Sequence, residues 1–291
     1  MRGSAALWPL ALLAALTVGP LAAQTAAQRP DWNQPFDPFR IVGNIQYVGT
    51  SELCAYLITT PQGHILIDGG LPESVALIEA SIVKLGFKVE DVRILLTTQA
   101  HFDHVGSLAA VAAKSHAQVM VMAGDAELVE HGGHGDYLFG DSSPFAPVHV
   151  DRVLKDGDTV TLGGTTLVAH LTPGHTRGCT TWTTTVSEGE LRYLVEFVGS
   201  TSVNPGTRLV HMPSYPGIRG DYERAFRVQR AMHPDVFLGA HAGFFDLPGK
   251  RQRQIAAPTP NPFVDPKGYA ALVAKSETHF HELVATEMAG H

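Results

Sequence analysis

The segment Gln99-Ala100-His101-Phe102-Asp103-His104 constrains this chain more than any other stretch of it. It follows the mostly apolar run VRILLT (residues 92–97), the pattern of a buried strand. It leads into GSLAAVAAK (residues 106–114), which reads as a helix. Side chains between a strand's end and a helix's start lie at the carboxyl edge of a sheet, where sites in α/β proteins gather. His101, Asp103 and His104 are all of types that bind zinc, which takes His nitrogen and carboxylate oxygen at ~2.0–2.2 Å. No regular helix lets all three of such close neighbours reach one ion, whereas a turn can divide them between two. Read alone, the segment suits equally a helix N-terminus whose polar residues have no metal role.

Two later segments favour the metal. Pro173-Gly174-His175-Thr176 presents a histidine on a tight turn after the strand predicted over 165–171, and Gly239-Ala240-His241-Ala242-Gly243 presents another after a strand over 236–239. Glycine beside each allows close backbone approach. One histidine in such a place is ordinarily structural; three placements at strand ends are hard to ascribe to chance.

The remaining pattern gives these segments a frame. RIVGNIQYVG, CAYLITT and HILIDGG read as short strands between turns. Residues 72–85 show helical spacing, with Val75, Leu77, Ile78, Ile82 and Leu85 on one side and Gly86 to end it. AQVMVM (117–122) is a strand, and a short helix starts near Gly124. The second half repeats this logic loosely, with strands over 159–162, 165–171, 179–186, 191–198 and 236–239. Helices are expected over 221–232 and, beyond the Pro-rich AAPTPNPF, over 267–285. The order implies helices outside two facing sheets. No linker divides the chain, so residues 24–291 read as one domain built from two similar halves.

Composition excludes some functions. A net charge of −7 with no basic run argues against nucleic acid, because phosphate contacts need a basic face. Hydrophobic residues at 44% against charged residues at 17% supply a sizeable core rather than a disordered chain. Arg2, the apolar stretch Ala6 to Ala23 and the small residues Ala22, Ala23, Ala26 and Ala27 read as a secretory signal, with cleavage expected after Ala23 or Ala27. Pro9, Gly19 and Pro20 interrupt it, which argues against a stable membrane anchor. Cys54 and Cys179 could pair in an exported protein or stay buried as free thiols.

Together, the His101–His104, Pro173–His175 and His241 segments resemble the metallo-β-lactamase superfamily. Its hallmark is His-x-His-x-Asp-His after a strand, then a Pro-Gly-His turn, then a His near the C-terminus. The resemblance runs from WNQPFDPFRIVGNIQYVGT to the Pro-rich tail. It implies an αβ/βα four-layer sandwich with metals at one edge. Ser200, in FVGSTSV, stands where thioesterases, lactonases and nucleases of the fold carry a bridging Asp and where two β-lactamase subclasses carry Cys. Serine there, with YPGIRGDY and AHAGFFDL, resembles subclass B3. Gln99 stands where the family has His, which resembles the Gln-ligand (GOB-type) branch.

By this resemblance Asp103, His104 and His241 hold one zinc, and His101, His175 and Gln99 the other, with one or two ions per chain. An amide oxygen is a poorer donor than imidazole, so the Gln99 site is the weaker. The implied activity is hydrolysis of the β-lactam amide of penicillins, cephalosporins and carbapenems by a metal-bound hydroxide, in the periplasm. Asp103 would orient the attacking water, and Ser200 and Ser202 would bind substrate. Thr176 would support His175, and Asp68, in DGG, would steady the metal loop. His131 and His134 sit in EHGGHGDY, expected to be a solvated flexible loop. The alternatives are another metallohydrolase of this fold (a thioesterase, lactonase or phosphodiesterase), against which Ser200 argues, and a non-catalytic homologue that lost one metal through Gln99.

Overall fold

A computed structural model of the chain describes residues 31–290. The expected signal segment lies outside the described residues. Strands β1 (Phe39–Val42), β2 (Ile45–Tyr47), β3 (Tyr56–Thr60) and β4 (Gly63–Ile67) form an antiparallel meander. Helix α1 (Val75–Lys84) then crosses to β5 (Val92–Leu96), parallel to β4. Short helices α2 (Phe102–Val105) and α3 (Leu108–Ser115) lead to β6 (Gln118–Met122), and α4 (Ala123–Glu130) precedes β7 (Arg152–Leu154), both strands again parallel. These seven strands lie in sequence order in one sheet.

The second sheet has five strands. Strands β8 (Thr159–Leu162), β9 (Thr165–Leu171), β10 (Thr180–Glu188) and β11 (Leu191–Val198) run antiparallel. Helix α5 (Ile218–Ala231) returns the chain to β12 (Val236–Gly239), parallel to β11, before α6 (Leu247–Ala256) and α7 (Pro266–Ala289).

Side-chain alternation separates the layers. Tyr56, Ile58, Ile65, Ile67, Ile94, Leu96, Met120 and Met122 join the core between the sheets. Their neighbours Leu57, Leu66, Leu95, Val119 and Val121 face the other way, onto Ile78 and Ile82 of α1, Leu108 and Val111 of α3, and Val129 of α4. Period-two alternation produces this division, and both faces are apolar because both are covered. Across the sheets the Tyr56 and Phe197 rings meet edge to face at 5.2 Å, and Trp182 Nε1 donates to the Thr97 carbonyl at 3.1 Å. Tyr222 and Phe226 of α5 pack on Phe280 of α7, and α7 packs on β12. The result is the αβ/βα sandwich that the resemblance implied.

The strands expected at 159–162, 165–171, 191–198 and 236–239 have those bounds, and α5 begins three residues earlier than expected. Strand β7 and helix α6 carried no readable signal. Two of the three β7 residues are exposed. Helix α6 buries only Leu247 and Lys250; the Lys250 Nζ sits 3.0 Å from Asp265 and 4.4 Å over the Phe237 ring, so a charged residue occupies its inner face. Cys54 and Cys179 are buried free thiols, their pKa pushed up by burial.

Candidate metal centre

Five strands end at the same edge of the sandwich and deliver the site. Asp68 follows β4, Gln99 to His104 follow β5, His175 follows β9, Ser200 follows β11 and His241 follows β12. His101 is the extended residue that caps α2 (φ −81°, ψ 152°), so Gln99 and His101 precede the helical turn while Asp103 and His104 lie within it. This change of backbone conformation divides near neighbours in sequence between two clusters.

The first cluster is Asp103, His104 and His241, whose candidate ligand atoms all lie within 4.8 Å of one another. The Nε2 atoms of His104 and His241 each stand 3.5 Å from Asp103 Oδ2. Their outer nitrogens have carboxylates behind them: Asp68 Oδ2 is 3.5 Å from His104 Nδ1, and Glu52 Oε1 is 3.6 Å from His241 Nδ1. A carboxylate behind a ligating histidine fixes its tautomer and raises its basicity. Burial works against charge on Asp103, but His104 and His241 outweigh it and hold the carboxyl below its usual range. Burial opposes charge on His104 too, and there Asp103 and Asp68 prevail, raising its pKa.

The second cluster is built on His101 and His175, with Gln99 two residues before His101 on the same loop. His101 Nδ1 faces His175 Nε2 at 3.1 Å, and His175 Nδ1 lies 2.7 Å from the Ser202 carbonyl, to which it donates. His175 Nε2 therefore presents a lone pair, and burial followed by the neighbouring His101 pushes this imidazole down to about 3, leaving it neutral. Gln99 is buried, and its Oε1 has no hydrogen-bond partner among the described residues. A buried acceptor left unmade costs ~1–3 kcal/mol. An orphaned buried amide oxygen and a bare imidazole nitrogen are each the kind of group a cation would complete. The donor set of both clusters fits a divalent metal.

A matching family model covers residues 55–241 and describes the metallo-beta-lactamase superfamily. The chain belongs to this superfamily. Among solved structures it is similar to the native FEZ-1 metallo-beta-lactamase of Legionella gormanii, with 44% identity and a TM-score of 0.86 over 88% of this chain and 98% of that one. It is similar to BJP-1, a subclass B3 metallo-beta-lactamase of Bradyrhizobium japonicum, with 39% identity and a TM-score of 0.85 over 91% and 99% of the two chains. For the metallo-beta-lactamase GOB-18 of Elizabethkingia meningoseptica the figures are 35%, 0.85, 94% and 100%. The chain spans about half the length of the curated relatives it matches, 45% of one and 53% of another.

In this member of the metallo-beta-lactamase superfamily, one buried carboxylate joins the loops that carry the two clusters. Asp125, at the start of α4, accepts from Ala100 N at 3.0 Å, Thr176 Oγ1 at 2.7 Å and Gly178 N at 2.7 Å. Burial raises its carboxyl above the usual range even against these donors. Asp68 likewise accepts from Thr98 N and Thr98 Oγ1, both at 2.7 Å. Gly174 takes φ +131°, and its α-carbon sits so near Tyr222 that a Cβ would meet the ring at 2.7 Å. The Tyr222 hydroxyl in turn donates to the Ser202 carbonyl at 2.8 Å.

Ser200 and Ser202 lie on the His175 side, with their hydroxyls 2.9 Å apart. Ser202 Oγ is 3.3 Å from His175 Nδ1, so this residue stands behind the imidazole with both its carbonyl and its hydroxyl. His131 and His134 are exposed and lie near Glu127 and Asp141, outside both clusters. Gly132, Gly133, Asp136 and Tyr137 of the same loop are buried, however, so the loop is anchored rather than freely solvated. Asp125, Asp136 and Glu52 escaped sequence reasoning. Each is a lone acidic residue with no spacing pattern, and none stands beside a histidine of the site in sequence.

Proposed function

We propose that the chain hydrolyses the amide bond of β-lactam rings in a zinc-dependent reaction. The observation that carries this reading is the Asp103/His104/His241 cluster, whose candidate ligand atoms lie within 4.8 Å of one another, together with the facing His101 and His175 nitrogens and the unpartnered buried Oε1 of Gln99. Support comes from the likeness to proteins described as metallo-beta-lactamases over 98–100% of their chains at 35–44% identity.

Asp103, His104 and His241 would hold one zinc; His101, His175 and Gln99 would hold a second, more weakly bound because an amide oxygen replaces an imidazole. When bound, zinc lowers the pKa of water from ~15.7 to roughly 7 and polarises the substrate carbonyl. The reaction adds water across the amide: an oxygen attacks the carbonyl carbon, the C–N bond breaks, and the ring nitrogen takes up a proton. Asp103, held between two imidazoles, supplies the acceptor that orients the water. Asp68 and Glu52, 3.5 and 3.6 Å behind His104 and His241, would favour the proton on Nδ1, so that the Nε2 atoms present their lone pairs. Ser200 and Ser202 would receive the substrate beside His175. Export to the periplasm suits such a reaction, and among the described residues no helix is long and apolar enough to cross a membrane.

Loss of β-lactam absorbance, followed with a penicillin, a cephalosporin and a carbapenem on protein of measured zinc content, tests this. Ring opening should vanish with a chelator and return with zinc. Asp103→Ala and His241→Ala should each lose well over ~100-fold, more than a partner behind the ligands is worth. Ring opening that survives the chelator, or either substitution, would refute the proposal. Turnover of a thioester, lactone or phosphodiester in its place would select the other metallohydrolases.

A further inference from the structure

The Gly-rich turn of residues 131–140 ends in an arrangement that serves the weaker cluster. Asp136 pairs with Gly140 through both backbone groups, at 3.2 and 3.0 Å, closing a tight turn. Its Oδ1 accepts from Leu138 N and Phe139 N, both at 2.7 Å. That leaves Oδ2, which lies 3.5 Å from His101 Nε2, with both side chains about 95% buried. His101 Nε2 has no hydrogen-bond partner among the described residues, and the Phe139 ring closes the flank of the imidazole edge to face at 5.1 Å.

We propose that Asp136 is a positioning residue for His101, fixing its tautomer and strengthening it as a metal donor where Gln99 offers only an amide oxygen. The inference rests on the reading of Gln99, His101 and His175 as a zinc site. With the proton held on Nε2 by the carboxylate, His101 Nδ1 carries the lone pair that faces His175 Nε2 at 3.1 Å. Two bare nitrogens that close repel one another unless a cation lies between them. A carboxylate behind an imidazole raises its basicity, and removing such a partner costs ~10–100-fold in metal affinity. The first cluster has two such partners, Asp68 and Glu52. In the second cluster Asp136 takes that part for His101, while His175 leans on a backbone carbonyl instead. The turn thereby becomes part of the metal site while His131 and His134 remain exposed at its rim.

Asp136→Asn separates this role from a merely structural one. The amide oxygen still accepts from the Leu138 and Phe139 amides, but the group facing His101 becomes a donor that cannot take its proton. Zinc affinities of the full protein are measured by competition with a chelator, alongside urea unfolding of the metal-free form. One of two ions should weaken ~10–100-fold, the other should hold, and the metal-free unfolding midpoint should not move. In a His101→Ala background Asp136→Asn should add nothing, because the effect runs through that imidazole. Unchanged affinity for both ions overturns the inference and leaves the proposed function standing. So does weakening of both ions together with a lowered metal-free midpoint, which marks a structural role. A parent protein that binds a single ion at every zinc concentration refutes the Gln99 site itself.

Discussion

Replacing Glu196 by Gln should stabilise the protein at neutral pH and remove part of its pH dependence. Glu196 sits within β11, fully buried, on the face covered by α5 and α7. The Tyr269 hydroxyl lies 2.8 Å from Glu196 Oε1 and also 2.8 Å from the Gln229 carbonyl. One hydroxyl proton cannot satisfy two acceptors, and Glu196 Oε2 has no hydrogen-bond partner among the described residues. A protonated Glu196 resolves this, donating to Tyr269 while Tyr269 donates to Gln229. Burial raises the carboxyl to about 8, against the Tyr269 bond, which would lower it.

The unfolded chain releases this proton near the ordinary value of 4.5. Between there and about 8 the folded state binds more protons than the unfolded one, so stability falls as pH rises through that window and levels off above it. At 1.36 kcal/mol per pKa unit, the loss has reached about 3 kcal/mol by pH 7. A Gln amide is never charged, and its Nε2 can donate to Tyr269 as the acid does. Urea unfolding of the metal-free protein across this pH range measures both forms. The two should coincide near the acid end and diverge by about 3 kcal/mol at pH 7, with the Glu196→Gln variant the more stable. Parallel curves would refute the reasoning and place an ionised carboxylate in this core.

Two further outcomes concern the loops that carry the ligands. Asp125→Ala strips the acceptor from Ala100 N, Thr176 Oγ1 and Gly178 N, and at ~1–3 kcal/mol for each buried donor left unmade it should cost about 4 kcal/mol in urea unfolding. On the proposed two-zinc reading it should weaken both ions, since it frees both loops; a variant that holds both as tightly as the parent would show that Asp125 does not set their spacing. Gly174→Ala should cost about 2–4 kcal/mol, the sum of a backbone conformation foreign to alanine and a Cβ driven into the Tyr222 ring. Gly174→Ala combined with Tyr222→Ala should recover part of that loss, and no recovery would mean that backbone strain alone is responsible.

By itself the sequence determined most of the elements and the candidate ligand types. Apolar runs such as VRILLT and FLGA announce their strands because both faces of each sheet are covered, and glycine at the turns marks where the chain must pass closely. The QAHFDH, PGHT and AHAG segments were legible because metal-binding side chains at strand ends are a local pattern. Only the tertiary structure decided which of these histidines face one another, and what stands behind them. Asp125, Asp136 and Glu52 reach the site across long stretches of chain, and a lone carboxylate carries no periodic signal. Its meaning depends on burial and on the donors it meets, quantities that exist only once the two sheets have closed on each other.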